Sequence, residues 1–418
     1  MRGLFFAAII LSSIAACGRT GEAPEQAAPQ QTVRFAAFNA YLNRPVAGQL
    51  ETDLSTPVNV QAQKVAEIIQ RVAPDVILIS EFDYDAEGES LRLFRENYLE
   101  TGWNGADPAV YSYFFIAPVN TGEPSGRDLD RNGQAVAEPG SREYGGDAFG
   151  YGEFPGQYAM AILSKFPIDE ANIRTFQTFR WKDMPGALIP DDPATPAPDD
   201  WYSEAALADF RLSSKSHWDV PIVTDAGVVH LLASHPTPPT FDGEEDRNGK
   251  RNHDEIRFWA DYISGKGDYI YDDAGAKGGL APNARFVIMG DMNADPHDGD
   301  AYPGAIAQLL NSAAVREAPF PKSEGGAEQA VLQGGSNLAH EGDPSEDTAD
   351  FGDDPERGGV GNLHLDYVLF SKAGLKETGS GVFWPGPDDE HYMLVGPGYP
   401  VESSDHRLVW RDLVVTAD

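Results

Sequence analysis

The sequence predicts a layered α/β domain, on three observations. Seven runs rich in Val, Ile and Leu read as buried strands, each with polar residues at one end. One stretch, residues 60–72, has helical spacing, with Val65, Ile68, Ile69 and Val72 apolar and Pro74 just beyond its end. The 418 residues are 41% hydrophobic and 11% aromatic, enough for a large core, which excludes a disordered chain or a coiled coil.

Taken in order, residues 33–38 form a strand that delivers Asn39, and after the helix residues 76–80 form a second that ends at Glu81. Residues 158–163 are a third. Residues 228–234 end at His235, and residues 285–289 lead to Gly290-Asp291-Met292-Asn293. Residues 365–370 contain Asp366, and Asp405-His406 precedes the last strand, 408–415. Polar groups gathered where strands leave a core are how a layered enzyme builds a site along one rim. The stretches 102–156, 180–226, 240–254, 266–284 and 320–362 are rich in Gly, Asp, Pro and Asn and are expected to be insertions over that rim. No fixed-period repeat or composition shift marks a second core, so residues 32–418 are read as one catalytic domain.

The N-terminus is expected to be a targeting segment. Arg2 precedes an apolar run, residues 4–14, too short for a permanent span. The run ends at Ile14-Ala15-Ala16-Cys17, which resembles a bacterial lipobox. The expectation is therefore a signal peptide over residues 1–16, acylation of Cys17, and a flexible tether over residues 17–31. The chain would be exported and lipid-anchored; Gly18, where an Asp would favour inner-membrane retention, points to the outer membrane. The anchor is the only membrane contact expected, because no other apolar run approaches about 18 residues.

Charge and cysteine content bound the chemistry. The 31 basic and 66 acidic side chains leave a net charge of −35. Such a surface repels a polyanion and argues against extended duplex nucleic acid as a partner. A single cysteine makes neither an internal disulfide nor a thiolate zinc site. No protein partner is inferred.

The polar strand ends have the inventory of metal-assisted phosphoester chemistry. That chemistry needs a hard divalent cation on oxygen ligands, an activated water and donors facing phosphoryl oxygens. Glu81, Asp291 and Asp405 supply carboxylates, Asn39 and Asn293 supply amides, and His235 and His406 supply donors or bases. Asp366 can hold His406 in one tautomer. Any one of these residues alone reads more readily as a turn former or helix cap.

The ordered set carries more. Phe38-Asn39, Leu78-Ile79-Ser80-Glu81, Ala161-Ile162-Leu163-Ser164-Lys165, Ala233-Ser234-His235-Pro236, Gly290-Asp291-Met292-Asn293, Leu365-Asp366-Tyr367 and Ser404-Asp405-His406-Arg407 resemble the successive motifs of the endonuclease/exonuclease/phosphatase family. The resemblance covers residues 32–418. It implies a four-layer α/β sandwich, two mixed sheets flanked by helices, with the site at one rim. It also implies Mg²⁺ or Mn²⁺ at Glu81 and Asp405, with Asn39 close by and Asp291 as a further candidate ligand. His235 would donate to a phosphoryl oxygen or the leaving group, Asn293 would orient nucleophile or phosphate, and Asp366 would orient His406. Either Asp291 or His406 would take the proton. Some members place an Asp two residues after the first-strand Asn; Tyr41 stands here, which argues against a second cation there.

Two acidic loops suggest calcium. Asp128, Asp130 and Asn132 alternate before Gly133, although Pro139 fills the twelfth position. Glu244, Asp246 and Asn248 alternate before Gly249, with Glu255 at the twelfth. Both read equally as solvated turns. Arg247, Lys250, Arg251, His253 and Arg257 follow and suggest a phosphate-facing patch or an exposed helix face.

The leading reading is an exported divalent-metal-dependent phosphoesterase whose substrate is a phosphomonoester or phosphodiester. A surface or periplasmic nuclease is the alternative. A reading of another class is a catalytically inactive calcium-binding surface lipoprotein, disfavoured because a competent side chain fills every expected position except that of Tyr41.

Overall fold

The computed structural model describes Met1, residues 30–396 and residues 401–416. Cys17, and all but the ends of the expected signal and tether, lie outside the described residues. No helix among the described residues is long and apolar enough to cross a membrane.

The strands, in chain order, are β1 (Gln30–Leu42), β2 (Val76–Phe82), β3 (Tyr113–Phe115), β4 (Met160–Ser164), β5 (Arg174–Thr175), β6 (His217–Thr224), β7 (Gly227–Ser234), β8 (Phe286–Asp291), β9 (Ala349–Asp350), β10 (Asn362–Leu363), β11 (Asp366–Phe370), β12 (Leu375–Val382) and β13 (Val409–Thr416). One sheet runs β12-β13-β1-β2-β4-β3 and the other β11-β8-β7-β6-β5, while β9 and β10 pair by themselves. Each large sheet contains one parallel pair, β1 with β2 and β7 with β8; its other neighbours are antiparallel. Both sheets are therefore mixed, as the family resemblance implies.

Alternation along the strands assigns the layers. In the second sheet Leu231, Val287, Met289, Val368 and Phe370 join the core shared with Phe38, Ile77 and Ile79 of the first. The residues between them, Leu232, Phe286, Ile288, Tyr367 and Leu369, face the other way and pack with Ile256, Phe258, Trp259 and Tyr262. These four lie on the helix Arg247–Ile263, which thus covers the outer face of the second sheet. The helix Val60–Val72 packs Val65, Ala66, Ile69 and Val72 into the core of the first sheet. Asn59 caps it, its side chain accepting the Ala62 N–H at 3.0 Å, and Ala73 ends it in the left-handed conformation just before Pro74. The result is helix, sheet, sheet, helix, a four-layer α/β sandwich.

Direction then gathers the polar strand ends. The parallel pairs both finish at one rim, and the antiparallel strands β11 and β13 start there. Asp366 opens β11 directly across from Asp291 at the end of β8. Gly290 lets β8 approach β7, since a Cβ there would stand 1.9 Å from the Ser234 carbonyl oxygen.

Two of the expected insertions contain core elements. Strand β6 lies within residues 180–226, concealed by Asp219 and Pro221. Asp219 is buried but accepts the Tyr262 hydroxyl at 2.7 Å and lies 2.7 Å from His230 Nδ1. Pro221 lies beyond the two residues with which β5 pairs, so its missing N–H costs the ladder little. The helix Arg247–Ile263 begins within residues 240–254, and its opening residues are too polar to show an apolar stripe.

Candidate functional site

The rim brings together Asn39, Glu81, His235, Asp291, Asn293, Asp366, Asp405 and His406. The side-chain amide of Asn39 donates to Glu81 Oε1 and to Asp291 Oδ2, at 3.1 Å each, and so joins carboxylates from different sheets. Glu81 Oε2 accepts the Asn43 amide at 2.8 Å. Ser404 holds the Asp405 loop in place, donating to the Asn39 carbonyl at 2.7 Å and accepting the His406 N–H at 3.0 Å. Asn293 stands on left-handed backbone, its N–H on Asp291 Oδ1 at 2.9 Å and its amide on the Pro236 carbonyl at 3.2 Å.

His406 Nδ1 is 2.8 Å from Asp366 Oδ2, and Nε2 is 3.6 Å from Asp291 Oδ2. Thr348 completes this arrangement, donating to Asp366 Oδ2 at 2.9 Å while accepting the Leu365 and Asp366 N–H groups. Burial opposes a charge on His406, but Asp366, Asp291 and Asp405 outweigh it and push the imidazole up to about 10. Burial, with Asp366 beside it, raises Asp291, so this carboxylate facing His406 Nε2 holds a proton more tightly than an ordinary Asp. His235 lies on the opposite side, its Nε2 3.4 Å from Asp291 Oδ2. Burial and the nearby positive charges of Lys215 and His406 hold it well below the ordinary histidine range, hence neutral.

Glu81 and Asp405 are the less compensated pair. Burial and the Asp405 charge push Glu81 up to about 7, against the Asn39 amide, His406 and Lys215. Burial also raises Asp405, and its buried Oδ1 has no hydrogen-bond partner among the described residues. Two enclosed carboxylates with free acceptor capacity, beside an amide oxygen, fit a hard divalent cation. Asp291, Asp366 and His406 also place one ligand-type atom each within 4.8 Å of one another, but His406 Nδ1 is engaged by Asp366.

Several residues at this rim escaped sequence reasoning. Lys215, buried just before β6, acts electrostatically on Glu81, Asp291 and His235. Thr348 stands in a Gly- and Asp-rich stretch with nothing in its local pattern to mark it. Asp83 stands one residue beyond the end of β2. It straps the rim together, accepting the Arg44 N–H at 2.8 Å and the Tyr158 N–H at 3.1 Å.

The two acidic loops separate. Asp128 and Asp130 meet Asp147, one oxygen of each lying within 4.8 Å of the others. Asn132 serves the turn instead, its amide donating to Asp130 at 2.9 Å. The second loop does not form: the helix starts at Arg247, so Asp246 is its N-cap residue, Asn248 lies in its first turn and Glu244 faces solvent. Glu255, two turns on, is buried and accepts the Ser214 and Thr237 N–H groups at 2.6 Å each, leaving no twelve-residue loop. The basic residues do not make a phosphate-facing patch. Arg251 is buried against the Leu212 and Phe149 carbonyls, Arg257 donates to the Pro185 carbonyl, Lys250 to that of Glu245, Arg247 pairs with Glu245, and His253 contacts Asp254.

Residues 36–406 match the model of the endonuclease/exonuclease/phosphatase family. The chain belongs to this family. Its members are metal-dependent phosphoesterases. No curated protein matches in sequence. Among solved structures, an endonuclease/exonuclease/phosphatase from Beutenbergia cavernae is 14% identical over 92% of this chain and 72% of its own, with a TM-score of 0.46. Sphingomyelinase C from Streptomyces griseocarneus is 14% identical over 93% of this chain and 100% of its own, at 0.43. A variant of the beta toxin from Staphylococcus aureus, with bound magnesium ions, is 13% identical over 92% and 100%, at 0.41.

Proposed function

We propose that the protein is an exported, lipid-anchored phosphoesterase that hydrolyses a phosphomonoester or phosphodiester with Mg²⁺ or Mn²⁺. The observation that carries the catalytic reading is the convergence of Glu81 and Asp405 with Asp291, His235 and the Asp366–His406 pair on one rim.

The division of labour follows from the charges. Glu81 and Asp405, with Asn39 alongside, would hold a hard divalent cation, which would supply Lewis acidity toward the phosphoryl group. Asp291 takes the proton from the attacking water, because His406 is already held protonated by its carboxylate neighbours. The His406 imidazolium faces the developing phosphoryl charge, with Asp366 fixing its ring. Neutral His235 offers one N–H to a phosphoryl oxygen or to the departing alkoxide. The water oxygen bonds to phosphorus as the bond from phosphorus to the alcohol oxygen breaks; the alkoxide departs against the His235 N–H and takes its proton from solvent, while Asp291 returns to solvent the proton it took.

The test is a panel of monoesters and diesters assayed with Mg²⁺, Mn²⁺ and chelator. Divalent-dependent turnover lost in Glu81→Gln supports the reading; full activity in chelator would falsify it. For the anchor, Cys17→Ser should move the protein from the membrane fraction to the soluble one. Calcium, where it binds, is assigned to Asp128, Asp130 and Asp147.

A further inference from the structure

Thr348 supports Asp366 with its hydroxyl, and the residue before it, Asp347, faces away into a cavity of about 140 Å³ enclosed by parts of the stretch 320–362 and by Asp298. None of the catalytic residues lines this cavity. Its walls differ in chemistry. Val331, on the helix Glu324–Gln333, and Leu338, in the turn Gly335–Ala339, are 79% and 81% exposed at the mouth, with Ala330 and Pro344 beside them. Asp298 and Asp347 supply the opposite wall, and Asp347 is only 7% exposed.

Asp347 reaches the cavity without a partner. Among the described residues it accepts no hydrogen bond and joins no ion pair. Lys322 is engaged elsewhere, by Asp343 at 2.6 Å and Glu346 at 3.1 Å. Asp298 has only backbone donors, the Glu341 and Gly342 N–H groups at 2.9 Å each, and His340 directs Nε2 to the Val360 carbonyl at 2.9 Å. Burial and the charges of Asp295, Asp298, Asp343 and Glu346 push the Asp347 carboxyl up to about 8. A buried carboxylate in these surroundings is costly until a positive charge joins it.

The shape of the cavity decides which positive charge. A hard metal ion needs several oxygen ligands converging on one point. Asp128, Asp130 and Asp147 meet that condition within 4.8 Å, but among the described residues no such trio includes Asp298 or Asp347. The volume is also several times the roughly 30 Å³ of one water, and one wall is apolar. A charged head on a hydrocarbon stem matches both walls, the stem lying over Val331 and Leu338 while the head pairs with the carboxylates.

We infer that this cavity is a binding site for a guanidinium or ammonium group on an apolar stem, with Asp347 and Asp298 as its carboxylate partners. A free alkyl cation and a basic side chain of another protein share that chemistry.

The test is calorimetric titration of the full chain with butylguanidinium, with unsubstituted guanidinium and with Nα-acetylarginine amide. Butylguanidinium should bind at one site about tenfold or more tighter than guanidinium, the scale of a few buried methylenes. Asp347→Asn should weaken it by about tenfold or more, and Leu338→Ser should weaken butylguanidinium without affecting guanidinium. Glu81→Gln should leave the titration unchanged. Asp347→Asn should not lower Tm, since it removes a buried charge that has no partner; this separates lost recognition from lost structure. Acetylarginine amide binding as tightly as butylguanidinium would identify the source as a protein side chain, and binding of the free cation alone would identify a small molecule; both support the site. Affinity unchanged in Asp347→Asn and Leu338→Ser, or no saturable binding of any of the three in the millimolar range, would overturn it. So would a fall in Tm for Asp347→Asn, which would show the carboxyl already partnered, and a loss of binding in Glu81→Gln, which would place the cation at the catalytic rim. Calcium binding that disappears in Asp347→Asn would assign the cavity to a metal and overturn it as well.

Discussion

Asp366 and Glu81 arrive at the same rim from different sheets and meet opposite electrostatic conditions. Asp366 is fully buried and its Oδ1 has no hydrogen-bond partner among the described residues, but its Oδ2 shares His406 and the Thr348 hydroxyl, so its charge faces a countercharge within the protein. Among the described residues Glu81 has only the amides of Asn39 and Asn43 as direct partners, with Asp405 repelling it. One half of the site is therefore preorganised by the chain alone. The other half is completed by a cation, since buried carboxylates without a countercharge are costly.

The largest effect should come from the compensated half. His406→Ala and Asp366→Asn should each lower kcat by roughly a thousandfold or more, with no rescue by added Mg²⁺. The double variant should be little worse than His406→Ala, because the pair acts as one unit. Fully additive losses in steady-state kinetics would break the comparison. Glu81→Gln should cost about a hundredfold in kcat/KM at fixed Mg²⁺, and part of the loss should return as the Mg²⁺ concentration rises. Rescue by metal in one half but not the other is what separates them.

Stability sharpens the same contrast with a smaller effect. Glu81 at about 7 binds its proton more tightly in the folded chain than an ordinary glutamate does. Its contribution is therefore present below the ordinary value of about 4.5 and is lost as pH rises through about 7. In chelator, the stability of the wild type relative to Glu81→Gln should fall between pH 5 and 8 and level off above, as followed by denaturant unfolding. Saturating Mg²⁺ should weaken or reverse the trend, because the ion favours the carboxylate. A flat difference in chelator would mean that Glu81 is already compensated.

The smallest expected effect separates the two acidic loops. Calcium should raise Tm by a few degrees at most, and Asp130→Ala should diminish the shift while Asp246→Ala leaves it intact, because only the first loop assembles an oxygen cluster. An equal response from both variants in thermal scans would contradict the placement of Asp246 at a helix start.

The two loops also show how far a short pattern reaches. Their sequences alternate acidic and amide residues before a glycine in the same way. The first gains Asp147 from a segment distant in sequence. The second is drawn into the helix that carries Ile256, Trp259 and Tyr262 onto the second sheet, and burial of those side chains outweighs a polar loop conformation.

What the sequence by itself determined was the order of strands, the helix Val60–Val72 with its stop, and the identities of Asn39, Glu81, His235, Asp291, Asn293, Asp366, Asp405 and His406. Those features are local: apolar runs, turn chemistry and motif spacing act over a few residues. Only the tertiary structure decided that His406 is held protonated, that Thr348 and Lys215 stand at the site, that Asp219 and Pro221 fit within a strand, and that Tyr41, Glu81 and Tyr158 stand on left-handed backbone. Each of these depends on partners far away in the chain, through hydrogen bonds, burial and Coulomb fields that exist only once the two sheets have closed on one another.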